Sequence, residues 1–80
     1  MMIFVEAYDV NNRKILGNMD GQTVIEAKDY KRTFAYKILR DLPKECLSEN
    51  GRAIRYELWQ ANSGNHYAPY VRLLETIHKE

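Results

Sequence analysis

Cysteine occurs once in these 80 residues, at Cys46, and proline only twice. A lone thiol cannot close an intrachain disulfide, so the fold must stand on packing alone, which suits a reducing compartment. Cys46 follows Pro43 in an expected loop and reads as a plain free thiol. Long apolar runs are missing too. The apolar start of the chain is cut short by Glu6, so neither a secretory signal nor a membrane span is expected there. The expectation is a cytoplasmic protein without membrane contact. Glycine is sparse and scattered: Gly17 and Gly21 serve turns, Gly51 and Gly64 serve loops, and none builds a phosphate-cradling loop. His66 and His78 lie far apart with no cysteine pair beside them, so the zinc-site pattern is absent. Neither Ser48 nor Ser63 stands in a motif that would make it a nucleophile. These absences together predict no cofactor, no bound metal and no enzymatic activity.

What is present reads as one globular domain spanning residues 1–80. Hydrophobic residues make up 45% and charged residues 29%, a balance that supports a packed core. A chain of this length buries only about 60–65% of its unfolded surface, so little core can be given up to a deep cleft. Six tyrosines, two phenylalanines and Trp59 exceed what so small a core needs, and surplus tyrosine is often spent on contact surfaces.

Hydrophobic periodicity sets out the elements. Residues 2–10 alternate with a period of two, with Ile3, Val5 and Ala7 on one side and Phe4, Glu6 and Tyr8 on the other. Asn11-Asn12 supplies a turn, because asparagine tolerates positive φ. Residues 13–18 then read as the return strand of a hairpin. Asp20-Gly21 is a second turn signal, and residues 23–28 form a third strand or an extension of the second. A helix follows, capped by Asp29 or Thr33 and stopped by Pro43. Its apolar arc holds Phe34, Ala35, Ile38, Leu39 and Leu42, which are predicted to pack on the sheet, with Arg32, Tyr36, Lys37 and Arg40 facing solvent. Residues 44–51 are a polar loop. Residues 52–60 are the strongest strand, with Ile54, Tyr56 and Leu58 opposed to Arg55, Glu57 and Trp59. Residues 70–78 fit either strand or helix, and Pro69 favours a strand paired with 52–60. The order strand, strand, optional strand, helix, strand, strand predicts a small two-layer α+β domain: an antiparallel sheet with one main helix on one face.

Charge is unevenly spread. Residues 28–44 hold Lys28, Lys31, Arg32, Lys37, Arg40 and Lys44 against only Asp29 and Asp41, a local +4 in a chain whose net charge is +1. Arg32, Tyr36 and Arg40 recur every fourth residue, with Lys37 beside them, and form the first candidate binding surface. Guanidinium groups flanking an aromatic ring can grip phosphates while the ring stacks on a base, or can dock on an acidic protein surface. A second candidate is the outer sheet face, where Phe4, Tyr8 and Trp59 form an exposed aromatic patch suited to a partner or a homodimer. A third is Glu26-Ala27-Lys28, an acid-x-lysine step at a strand end. It resembles the E-x-K half of restriction-endonuclease-like nucleases. That resemblance implies a magnesium ion held by Glu26 with Asp9 or Asp20, and a water positioned by Lys28.

The sequence therefore predicts a non-enzymatic binding protein that occludes or adapts a protein or nucleoprotein partner with an acidic surface. Compact inhibitors of host machinery or defence carried by phages and mobile elements, anti-CRISPR-like proteins among them, have this character. A nucleic-acid-binding protein using the basic helix face is the first alternative, and a minimal metal-dependent nuclease the second.

Overall fold

The structure, a computed structural model, describes residues 2–16, 24–26, 28–47, 52–62 and 69–79. The chain forms a small α+β domain in which an antiparallel sheet carries one main helix. The elements are β1 (Met2–Tyr8), β2 (Lys14–Leu16), β3 (Val24–Glu26), a 3-10 turn at Tyr30–Arg32, α1 (Phe34–Asp41), a short α2 (Lys44–Leu47), β4 (Arg55–Ala61) and β5 (Tyr70–His78).

The strands occupy four positions, because β2 and β3 share one edge of β1. Ala7 and Tyr8 pair with Leu16 and Lys14, whereas Met2, Ile3 and Phe4 pair with Glu26, Ile25 and Val24. Both short strands run antiparallel to β1, so they lie end to end along it. β1 then pairs with β4 along its whole length, and β4 with β5. Residues 70–78 are thus a strand. Two register shifts between β4 and β5 mark bulges that twist this outer strand.

Local chemistry explains the joints. Asn12 adopts φ 62°, as its side chain allows, and closes the β1–β2 turn. Asp9 holds that turn, its Oδ1 accepting from the Asn11 and Arg13 amides at 2.9 Å each. Thr33 caps α1, its Oγ1 accepting from the Tyr36 amide at 3.2 Å. At the far end the Lys79 ammonium donates to the Arg40 and Leu42 carbonyls, at 2.7 and 2.8 Å, and satisfies acceptors that the helix terminus leaves open. Residues 44–47, expected as loop, form a helical turn directly after Pro43, whose carbonyl accepts from the Cys46 amide at 3.0 Å.

The core lies between α1 and one sheet face. Ile3, Val5 and Ala7 of β1, Tyr56 and Leu58 of β4, and Ile77 of β5 meet Tyr36 and Leu39 of α1. Ile3, Val5 and Leu58 are fully enclosed. No helix among the described residues is long and apolar enough to cross a membrane.

Candidate functional site

Helix α1 buries only part of the face that its sequence favours: Leu39 is in the core and Ala35 packs against it. Phe34, Ile38 and Leu42 are the expected anchors, yet Phe34 is 78% exposed, Leu42 is exposed and Ile38 is only half-buried. Tyr36, expected in solvent beside Arg32 and Arg40, is instead 7% exposed and inside the core with Leu39. At 100° per residue this is a roll of roughly 80° away from the centre of the apolar arc.

The inward side of α1 meets a carboxylate on β5. Glu75 projects from the core face of the sheet and accepts a hydrogen bond from the Tyr36 hydroxyl at 2.6 Å and another from the Tyr30 hydroxyl at 3.1 Å. The two rings meet edge to face with centroids 5.4 Å apart. Arg40 at 3.6 Å and Lys31 at 4.0 Å surround the same carboxylate. A carboxylate next to the core needs donors, and turning Tyr36 inward supplies the shortest one. Removal from water, then the bond to Glu75 and its negative charge, push the Tyr30 phenol up from its ordinary value of 10 to about 12. The Tyr36 phenol moves up for the same reasons in the same order.

The roll leaves an apolar ridge facing outward. Phe34, Ile38 and Leu42 lie one turn apart, and Lys37 and Asp41 form a parallel row. Between the rows runs an open groove of about 330 Å³, lined by these five residues. Cations flank it. Arg32 and Lys37 are exposed, as are Lys28 and Lys31, and the Arg40 side chain is 60% exposed despite its pairing with Glu75. Arg32 reaches Asp29 at 3.6 Å. Of the four helix residues expected to form one stripe, Arg32, Lys37 and Arg40 remain on the surface and Tyr36 has left it.

The opposite sheet face gathers the second set. Phe4 and Trp59 are register partners in β1 and β4. Phe4, expected at the surface, is 0% exposed, and the Tyr70 ring lies 5.8 Å from it. Tyr70 also stacks on Trp59 at 5.4 Å. Trp59 and Tyr8 are half-buried. The C-terminal strand thus helps to cover the expected aromatic patch. Two carboxylates knit the covering together. Glu6, 6% exposed, accepts from the Tyr8 hydroxyl at 2.7 Å and the Tyr70 hydroxyl at 2.9 Å, with Lys14 at 3.5 Å. Glu57 accepts from Trp59 Nε1 at 3.0 Å and Arg55 Nε at 3.1 Å, and the Arg55 guanidinium lies 4.2 Å above the Tyr8 ring. Burial and the bond to Glu6 raise the Tyr8 and Tyr70 phenols. The contacts run in a closed ring through Glu6, Tyr8, Arg55, Glu57, Trp59 and Tyr70, which reads as structural cover.

The E-x-K expectation meets a register problem. Glu26 pairs with Met2 at one end of β1, and Asp9 follows the other end. Seven residues of strand separate the two backbones by about 20 Å, too far for both carboxylates to share one magnesium ion. Asp9 is also occupied by its turn. Asp20 and Ala27 lie outside the described residues, as do His66, Ser48 and Ser63. Among the described residues no group of three His, Cys, Asp or Glu side chains is poised around a metal. Cys46 is exposed.

Glu75, Glu6, Glu57 and Tyr70 organise both faces, and sequence reasoning singled out none of them as a site residue. Their signal was available: an acid within an otherwise apolar strand pattern, in a chain rich in tyrosine, implies buried donors. Comparison with protein-family models, curated proteins and solved structures finds no match to this chain.

Proposed function

We propose that this protein is a non-enzymatic binding domain that occludes a macromolecular partner through the outer face of α1. The observation that carries the reading is the outward apolar ridge Phe34–Ile38–Leu42, with Phe34 78% exposed in a domain that has little apolar surface to spare. An amphipathic helix with anchors at i, i+4 and i+8 fits an apolar groove on another protein. Lys37 beside the ridge suits an acidic rim around that groove, and the exposed cations Lys31, Arg32 and Arg40 would speed encounter. A compact domain carrying such a ridge suits an inhibitor that caps a working surface, as phage and mobile-element proteins directed at host defence do. A protein partner is favoured over nucleic acid, because Tyr36 is engaged with Glu75 and offers no stacking ring, and because an apolar ridge gains nothing from phosphate.

The test compares immobilised wild-type protein with Phe34→Glu and with the double reversal Arg32→Glu/Lys37→Glu, in capture from host lysate at matched melting temperature. One species retained by wild type and lost with both variants supports the reading. Identical capture by all three refutes it. Salt-sensitive retention on DNA or RNA that survives Phe34→Glu would transfer the function to the basic residues alone.

A further inference from the structure

The α1 ridge has a symmetry that selects an occupant. The groove runs between two rows spaced four residues apart, Phe34–Ile38–Leu42 and Lys37–Asp41. Rows of this spacing interdigitate when two helices cross at about −50°, each ridge filling the other's groove. The outer row bears opposite charges one turn apart. Among the described residues neither Lys37 nor Asp41 has an ion-pair partner within the chain. Two-fold association brings the same patch together on both copies, so residue i meets j and j meets i. An axis passing between Lys37 and Asp41 therefore sets Lys37 against the partner's Asp41, and Asp41 against the partner's Lys37. The same axis lies beside Ile38, midway along the apolar ridge, so Phe34 of one copy packs toward the Leu42 end of the other.

We infer that in the free protein the α1 ridge is covered by a second copy of this chain, in a two-fold helix pair that a heterologous partner must displace. The inference rests on the reading of the α1 outer face as a docking surface. The pair is weak by construction. Eight helical residues span about 12 Å, and a contact of that length falls short of the roughly 800 Å² per partner of a standard stable interface. A weak pair suits a resting state that yields to a partner.

The experiment is sedimentation equilibrium of the full chain from about 10 µM to about 1 mM at low salt. The weight-average mass should climb from the monomer's 9.5 kDa toward twice that value. Lys37→Glu and Asp41→Lys each set like charges together twice across the axis and should weaken association about tenfold. Combining the two substitutions in one chain restores opposite charges and should restore association. Mixing the two single variants should do the same, by forming the mixed pair. All four positions of charge are exposed, so melting should stay within about 2 °C of wild type. A monomeric mass throughout overturns the inference, as does a double reversal as weak as either single. If wild type is monomeric while Phe34→Glu still abolishes lysate capture, the dimer is overturned and the docking surface stands. If Phe34→Glu changes neither mass nor capture, both are overturned.

Discussion

Tyr36→Phe, paired with Glu75→Leu in a double-mutant cycle, tests what sets the roll of α1. The perturbation removes one hydroxyl that donates to a carboxylate at 2.6 Å. A hydrogen bond to a charged group contributes about 1.5–3 kcal/mol. The lower end applies to Tyr36→Phe, because Tyr30, Arg40 and Lys31 still face the carboxylate. The expected loss is about 1.5 kcal/mol, or roughly 6–12 °C in a domain of this size. Glu75→Leu strands two phenols at once and should cost about 2–4 kcal/mol. The exposed ends of Arg40 and Lys31 add little to that figure. In the double variant the Tyr36 part is not lost twice, so a coupling of at least about 1 kcal/mol should remain. Urea denaturation followed by far-ultraviolet circular dichroism supplies all four corners of the cycle. Costs that add to within about 0.3 kcal/mol would mean that the two groups do not act together and that the roll has another origin.

Three further outcomes follow from the same geometry. Phe34→Ala should leave stability within about 0.5 kcal/mol, whereas Leu39→Ala, on the buried side of the same helix, should cost about 2–4 kcal/mol in the same melts. Glu6→Ala should cost about 2–4 kcal/mol, because it leaves the Tyr8 and Tyr70 hydroxyls without their acceptor, and it should move Trp59 fluorescence through the Tyr70 stack. The raised phenols add stability that is complete below pH 10 and is lost as pH rises through their folded values, about 12 for Tyr30. Native phenolate absorbance should therefore lag behind that of the urea-unfolded chain above pH 10, and a native titration coincident with the unfolded one would refute the tyrosine–glutamate locks.

Much of the fold was legible because its causes are local. The alternation Ile3, Val5, Ala7 against Phe4, Glu6, Tyr8 depends only on strand geometry, and the core side of β1 follows it. Asn12 and Thr33 act through their own side chains at their own positions. The assignment of Tyr70–His78 as a strand turned on Pro69, again a local constraint. The strand at 24–26 was legible as a segment but not in its place. Nothing within residues 13–28 states that β2 and β3 divide one edge of β1 between them, since that depends on the length of β1.

The roll of α1 was illegible for the opposite reason. Glu75, the acceptor that the inward Tyr36 meets, lies 39 residues beyond it in the chain, and amphipathic pattern weighs only the helix itself. Burying a different face of one short helix changes apolar transfer by a few kcal/mol. A carboxylate left without donors beside the core costs as much or more. When those quantities are comparable, the polar demand can turn the helix, and the apolar arc it displaces must go somewhere. Here it goes to the surface, which is why the error in the predicted core and the position of the candidate site are one fact. An apolar ridge can face outward in this way without emptying the core, because Tyr36 packs there and satisfies Glu75 as well. On the proposed reading the ridge is then free to be chosen for a partner, and of the basic residues first noticed in the sequence Lys37 lies beside it.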